Sequence, residues 1–227
     1  MSFLFGSKAQ RTFKKIQDLA AGDMVDQAAV MVEEELETLL EDHDIAAKLV
    51  PFLMDIGHPD LGGRIGERII KTHSDLRMSV TRLLEEKQAQ FPRSIELLRV
   101  IWKSRLHQRD FNGLMDILGR TERVTVSRFA DSIQSSAQAL SGARGRELGQ
   151  GIERILAWAV ISLHRGDPSA AMDILVDAAR RCSFPEESLS RLSGWIAART
   201  GGTEMEVNLK RIQVLTAIGD KERAVSE

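Results

Sequence analysis

Apolar residues recur every three or four positions through most of this 227-residue chain, which is the spacing of helices that bury one face. The pattern is clearest over residues 152–185, where Gly166 and Asp167 separate two apolar segments. The first segment contains Ile155, Leu156, Ala159, Val160 and Leu163, and the second contains Ala171, Leu175, Ala178 and Ala179. Glycine can end a helix in the left-handed conformation, aspartate can cap the next helix, and Pro168 fits its first turn. These residues therefore predict two antiparallel helices joined by a tight turn.

The same spacing predicts helices along the rest of the chain. They cover about residues 8–21, 24–41, 45–56, 60–70, 75–90, 124–140, 189–198 and 204–218, with two more over 93–118. Pro51 is expected to kink its helix or to mark the true start. The chain has five prolines and no tyrosine, little period-two alternation, and many good helix formers. The sequence therefore predicts an all-α protein.

Residues 152–185 resemble a tetratricopeptide repeat, a helix-turn-helix unit of about 34 residues. The positions of that pattern for small residues, for the turn and for core packing are occupied by Ala159, Gly166, Asp167, Ala171, Leu175 and Ala178. The aromatic residue of the first helix is shifted from its usual position in the family, and Pro185 comes later than the family pattern places it. Residues 93–118 give a second match with Asp110 at the turn, although Trp102 and Leu114 replace small residues. The resemblance implies antiparallel helix pairs stacked as a right-handed α-solenoid, with irregular N-terminal helices.

Glycine-containing turn signals recur at Gly22-Asp23, at Gly57 and at Gly219-Asp220. A different glycine pattern, SGARGRELGQG over residues 141–151, contains little apolar sequence and predicts a hinge. The expected organisation is a flexible N-terminus over 1–7, a helical-repeat half over 8–140, the hinge, and a tetratricopeptide-like half over 152–227. Gly201-Gly202 is expected to separate the last two helices, and the short unit that ends at Glu227 is interpreted either as a degenerate cap or as a repeat that continues further.

Composition narrows the class of protein. Charged residues make up 28% and hydrophobic residues 43% of the chain, which excludes general disorder. The formal net charge of −2 gives no whole-protein field that would attract nucleic acid or an anionic membrane. The opening MSFLFG is too short for a secretory signal or a membrane span, and is interpreted either as a frayed end or as a hook for a partner or a bilayer. A soluble, cytoplasmic protein is expected.

No known catalytic motif is present, so the chain is predicted not to be an enzyme and to need no cofactor. Gly62, Gly63 and Gly66 are interpreted as sites of close helix packing, since neither a preceding strand nor a Lys-Ser pair supports a phosphate loop. His43 lies between two aspartates and is interpreted as part of a solvated helix end, not as a metal site. Cys182 is the only cysteine, which excludes an intramolecular disulfide, and it is interpreted as an ordinary semi-buried thiol.

Charge is distributed unevenly along the chain. Residues 33–60 contain nine acids and one base, a net charge of −8, and residues 61–128 contain fourteen bases and eight acids, a net charge of +6. These zones fit either pairing with a complementary surface, including other copies of the chain, or simple solvation of outer helix faces.

The tetratricopeptide resemblance also implies a binding site, because the first helix of each pair lines a concave groove in that family. Carried over by position, the partner-binding residues are Arg99, Lys103, Leu106, His107, Leu156, Val160, Leu163 and His164. Arg99, Lys103 and His107 are four residues apart and form a basic ridge that could hold an acidic or C-terminal peptide segment.

The sequence thus predicts a non-enzymatic helical-repeat adaptor or scaffold that binds another protein within a larger assembly. Its terminal repeats could also support a homo-oligomer. The alternative is a nucleic-acid-binding helical protein that uses the basic 61–128 region, although the shortage of stacking aromatics makes nucleic acid the less favoured partner.

Overall fold

The computed structural model describes residues 7–182, 187–200 and 205–219, and every regular element in these ranges is helical. The helices are α1 Lys8–Ala21, α2 Val25–Glu34, α3 Leu36–Leu40, α4 His43–Asp55, α5 Pro59–Thr72, α6 Arg77–Gln88, α7 Ile95–His107, α8 Phe111–Arg120, α9 Arg123–Gln138, α10 Gly145–His164, α11 Pro168–Arg181, α12 Glu187–Arg199 and α13 Met205–Ala217, with a 3-10 turn at Ser74–Leu76. The all-α prediction is confirmed. Expectations for residues 1–6, Pro185, Gly201-Gly202 and residues after 219 lie outside the described ranges.

Three local predictions differ from the structure. The helix expected over 24–41 is interrupted at Glu35, whose N–H donates to the Met31 carbonyl as α2 ends. Helix α4 continues through Pro51, whose ring removes a hydrogen bond to the carbonyl of Ala47. Ala47 is exposed, so water can satisfy that carbonyl. Ser7, assigned to the flexible N-terminus, instead caps α1, with its Oγ accepting from the Gln10 N–H at 3.1 Å.

The chain divides into two compact units, Met1–Ser104 and Arg105–Glu227, with the boundary inside α7. The predicted hinge over 141–151 is therefore not the division between them. Helix α10 begins at Gly145, and Gly151 is buried so close to Leu140 that a Cβ would collide with that side chain. The glycines in this stretch permit close packing of a helix and do not form an open linker.

Within the first unit, helix starts repeat at nearly constant intervals. The first helices of three pairs, α1, α4 and α6, start at residues 8, 43 and 77, which are 35 and 34 residues apart. The second helices, α2, α5 and α7, start at residues 25, 59 and 95, which are 34 and 36 residues apart. Each interval is therefore about the length of one helix-turn-helix unit. In the sequence, glycine turn signals marked only the first repeat interval.

The predicted turns are confirmed as a recurring helix end. Left-handed backbone occurs at Asp23, Gly57, Arg109, Gly166 and Gly219. At the first four of these, the next N–H donates to the carbonyl five residues before it, as in Asp167 to Ser162 at 3.1 Å. The Asp110 and Asp167 side chains then cap α8 and α11. Glycine is not required at every turn, since Asp23 and Arg109 adopt the same conformation.

The three glycines of α5 lie where neighbouring helices come closest. Gly62, Gly63 and Gly66 are all buried. A Cβ on Gly63 would lie 3.2 Å from the backbone carbon of Glu96 and 3.3 Å from the backbone nitrogen of Leu97. A Cβ on Gly66 would lie 3.2 Å from the Leu84 side chain. The close-packing interpretation is confirmed, because α5 meets the backbone of α7 directly.

In the second unit, Arg181 ties the end of α11 to the connection between α9 and α10. Its Nη1 donates to three backbone carbonyls, those of Leu140 at 2.6 Å, Ala143 at 3.0 Å and Ser141 at 3.1 Å. Its Nη2 donates to Asp177 at 2.6 Å, and its side chain is only 14% exposed. Charge-assisted hydrogen bonds of this kind are stronger than neutral ones, so Arg181 is a main support of this connection.

We expect Gly63→Leu to destabilise the protein by about 1–3 kcal/mol or more, because the new side chain must displace the backbone of α7. Gly119→Leu is the matched control, since Gly119 is also helical but has open space where a Cβ would be. Chemical denaturation of both variants measures the difference. Equal stabilities would show that α5 and α7 do not depend on this close approach.

We expect Arg181→Met to lower the free energy of unfolding by about 2–3 kcal/mol, because three backbone carbonyls lose their charged donor. The neighbouring Arg180→Met is the control: Arg180 is exposed and, within the described ranges, contacts only Gln213 at 3.5 Å, so a change within about 0.5 kcal/mol is expected. Thermal and urea unfolding report both values. A similar loss in the two variants would contradict the role assigned to Arg181.

Candidate functional site

The apolar residues of the predicted concave groove are mostly in the core. Leu106, Leu156 and Val160 are fully buried, which leaves them no surface for a partner. For Leu156 and Val160 the reason is the environment of α10, which packs against α8, α9, α11 and α12 and so has little free apolar face. Leu163 and His164 are half-buried, and burial lowers the pKa of His164, which favours its neutral form. The groove assignment is corrected for the three buried residues.

The three basic ridge residues are exposed, but each already contacts a carboxylate. Arg99 lies 3.3 Å from Glu96, and Lys103 lies 2.7 Å from Glu67. His107 lies 3.8 Å from Glu153. Helix α7 also takes the second-helix position of its pair by spacing, whereas the sequence interpretation used it as a first helix. The ridge is thus less available to an acidic peptide than its residue types indicate.

In the first unit, carboxylates of the acidic zone form ion pairs with side chains of the basic zone. Glu33 pairs with Arg64 at 2.7 Å, Glu37 with Arg68 at 2.9 Å, and Asp55 with Lys87 at 2.8 Å. The partners are 31, 31 and 32 residues apart, which is close to one helix pair. Each exposed pair contributes little to stability, but together they favour one register of neighbouring helices. Part of the charge that the sequence analysis assigned to a possible partner surface is therefore neutralised by ion pairs within the unit.

An open groove runs across the N-terminal end of α5 and is here named the end groove. It consists of two adjoining cavities of about 390 and 380 Å³ that share Pro59 and Asp60. The first cavity is lined by Asp26, Ala29, Val30 and Glu33 of α2, with Gly57, His58, Leu61 and Arg64. The second is lined by Gln90, Phe91, Pro92, Arg93 and Ser94, just before α7. The groove therefore follows the starts of three successive second helices.

A repeated polar contact links these helix starts. Asp26, the second residue of α2, lies 3.4 Å from His58, the residue before α5. Asp60, the second residue of α5, accepts a hydrogen bond at 2.5 Å from Ser94, the residue before α7. Ser94 Oγ also accepts from the Leu97 N–H at 3.2 Å and so caps α7. The polar side of the groove is held in place by these contacts.

The end groove combines apolar surface with fixed charges. Val30 is 52% exposed although it is a large apolar residue, and Phe91, Pro92 and Pro59 are partly exposed. Three carboxylates and the two guanidinium groups of Arg64 and Arg93 surround them, as at the rim of a protein-binding surface. The sequence did not reveal this site. The one feature of the sequence that relates to the groove is the spacing of residues near 24, 58 and 94, which are separated by about one repeat unit. This spacing can be noticed only when the starts of the second helices are known.

Lys210 and Ser169 lie close together in the second unit, but Lys210 is not set up to act as a base toward the serine hydroxyl. Lys210 Nζ lies 2.6 Å from Ser169 Oγ, 2.8 Å from Asp173 and 2.9 Å from Glu206. Partial burial disfavours the charged amine, but the hydrogen bonds to Asp173 and Glu206 outweigh it and raise the pKa of Lys210. A lysine must be neutral to take a proton from serine, so this pair serves as an ion-pair network that joins α11 to α13.

His43 is hydrogen-bonded to Asp75 at the exposed start of α4. Its Nε2 lies 2.6 Å from Asp75, and this hydrogen bond raises the pKa of His43. Protonation would remove the lone pair that a metal ligand needs. Among the described residues, no group of three or more His, Cys, Asp or Glu side chains is arranged to hold a metal ion. His43 thus lies at an exposed helix end, as expected, and contacts Asp75 there.

Comparison with family models, with curated proteins and with solved structures finds no match for this chain. In the part of the chain that the structure describes, no helix has both the length and the apolar character needed to cross a bilayer.

Glu67 provides a pH-dependent test of the ion pairing that occupies Lys103. Burial opposes ionisation of Glu67, but hydrogen bonds from Lys103 and Lys71 outweigh it and lower the pKa of the carboxyl. A carboxyl with a lowered folded-state pKa adds stability above its unfolded pKa of about 4.5, and this stability is lost as pH falls through the folded value. We expect the stability difference between the native chain and Glu67→Gln to shrink as pH falls from neutral to acid.

Urea unfolding across that pH range measures the difference, and NMR titration of the carboxyl should show its pKa rising in Lys103→Met. Glu34→Gln is the control, because Glu34 is exposed and has no ion-pair partner among the residues that the structure describes. If the pKa of Glu67 is the same in Lys103→Met and in the native chain, then Lys103 does not form the ion pair with Glu67 in solution.

Proposed function

We propose that this protein is a non-enzymatic helical-repeat scaffold that binds an extended segment of another protein in the end groove. The observation that carries the proposal is the groove itself, which crosses the starts of α2, α5 and α7 and exposes Val30 beside fixed charges. The spacing of 34 to 36 residues between helix starts supports a tetratricopeptide-like stack, in agreement with the resemblance of residues 152–185.

The groove chemistry fits a peptide backbone. The residues before α2 and α5, Met24 and His58, give no side-chain hydrogen bond to the first turns of their helices. The first N–H groups of a helix have no partner within it, so these turns can donate to carbonyl oxygens of a bound chain. Val30 and Phe91 offer apolar surface for alternating side chains of that chain. Asp26 and Asp60, at the same helix starts, favour a segment with basic side chains.

Nucleic acid is a weaker candidate for the partner. At least nine of the fourteen basic residues in the 61–128 region already form ion pairs with carboxylates, including Arg64, Arg68 and Lys103. Binding to phosphates would have to break these pairs. The end groove contains a single aromatic side chain, Phe91, on which a base could stack.

The test is a selection of random linear peptides displayed on phage, with the immobilised protein as target. We expect enriched peptides to contain apolar and basic residues and to bind Val30→Asp about tenfold more weakly, which is the cost of one buried valine side chain. NMR chemical-shift mapping should locate the peptides at Val30, Leu61 and Phe91.

Val124→Asp is the matched control. Val124 is 58% exposed on α9 and Val30 is 52% exposed on α2, so both substitutions add one charge to a similar surface position. Equal loss in the two variants, or peptides that map outside the end groove, would refute the proposed site. Retention of RNA that is released as salt rises would instead favour the nucleic-acid function.

A further inference from the structure

Helix α13 has apolar residues on two opposite sides. Val207, Val214 and Leu215 are buried on the side that packs against α11 and α12. On the other side, Leu209 is 56% exposed, and Met205, at 82%, is the most exposed large apolar side chain in the described part of the chain. A helix that is apolar all round is typically covered on all sides. The outer side of α13 is therefore expected to have a partner.

The exposed apolar residues of α13 follow the spacing of a contact between two helices. They belong to a row of residues separated by four, three and four positions, here named the α13 seam: Met205, Leu209, Ile212 and Thr216. With 3.6 residues per turn, this row covers about one sixth of the helix circumference. The same spacing forms the seam of a coiled coil, in which side chains of one helix fit between those of another. The seam thus indicates a helix, and not an extended chain, as its partner.

The three charged side chains of α13 are not available to a partner of the seam. Glu206 lies 2.9 Å from Lys210 and accepts a hydrogen bond from Ser169 at 2.5 Å. The Lys210 side chain is only 16% exposed. Arg211 lies on the inner side of the helix, beside Gly194 of α12. The partner must therefore be apolar along its own contact, because a charge placed on the seam would lose water without gaining an opposite charge.

A second copy of the chain presents a surface with these properties. If the α13 helices of two copies pack antiparallel about a two-fold axis, Leu209 faces Ile212 of the partner subunit at the centre. Met205 then faces the smaller Thr216 of the partner subunit at each end. The two Glu206 carboxylates are about 14 Å apart along the helix axis, at 1.5 Å per residue, so like charges do not meet. The seam is thus complementary to itself in both shape and charge.

We propose that the α13 seam is the contact surface of a homodimer in which the α13 helices of two copies pack antiparallel. A bilayer fits less well, because Lys210 is held by carboxylates and so is not available to anionic lipid. The seam of one 13-residue helix is smaller than the roughly 800 Å² per partner that stable complexes bury, so we expect a dissociation constant in the micromolar range. The proposal does not depend on what the end groove binds.

Sedimentation equilibrium of the full chain over micromolar concentrations tests the proposal. We expect a monomer–dimer equilibrium that does not weaken as salt rises, because contacts between apolar side chains are not screened. Leu209→Glu should weaken the dimer by roughly tenfold or more, since the new charge would be buried without a partner. Val124→Glu is the matched control: Val124 is 58% exposed on α9, in the same unit, and this variant should dimerise like the native chain.

A pair of opposite charges tests the antiparallel arrangement. Ile212→Lys alone should weaken the dimer, as Leu209→Glu does. The double variant Leu209→Glu, Ile212→Lys should recover part of the affinity and lose it again as salt rises, because each new carboxylate faces an ammonium group of the partner subunit. Circular dichroism should show that all variants remain folded. A native chain that stays monomeric, a Leu209→Glu dimer as strong as the Val124→Glu dimer, or a double variant no stronger than the single variants would each overturn the proposal.

Discussion

The first unit depends on the close approach of successive second helices. A pair of antiparallel helices cannot bury both of its apolar faces, so each pair needs a neighbour. Gly63 allows the backbone of α5 to reach the start of α7, and Gly66 makes room for Leu84 from α6. Any side chain at Gly63 would move the helices apart, and the contacts along their length would then lose their geometry. The glycines of α5 thus set the distance from α5 to α6 and α7. This is a packing role, different from that of glycines in a phosphate-binding loop.

The polar contacts follow from that packing. Residues on neighbouring helices meet at separations of about one helix pair, as in Glu33 with Arg64 in the first unit and Asp173 with Lys210 in the second. Because the acidic zone precedes the basic zone by this interval, charges that are segregated along the chain become neighbours in space. Among the described residues, the cations without an ion-pair partner include Arg11 and Lys15 on the outer side of the first helix.

Much of the secondary structure could be predicted from the sequence because it depends on local chemistry. Helix α1 was predicted with its observed limits, and the sequence indicated Asp167 as a cap and Asp110 as a turn residue, which the structure shows capping α11 and α8. The candidate site could not be predicted, because it depends on which helix faces are covered. Leu156 has the residue type of a groove lining but is enclosed by four helices, whereas Val30 has the residue type of a core position but is half-exposed.

The sequence separation of the lateral contacts has a consequence for how the chain folds. Asp26 with His58, Asp60 with Ser94 and Glu67 with Lys103 each join a residue to another that is 32 to 36 residues later. No such contact has to wait for a distant part of the chain. A helix pair can complete its polar contacts as soon as the next pair has been synthesised, so folding can proceed along the first unit at the pace of translation.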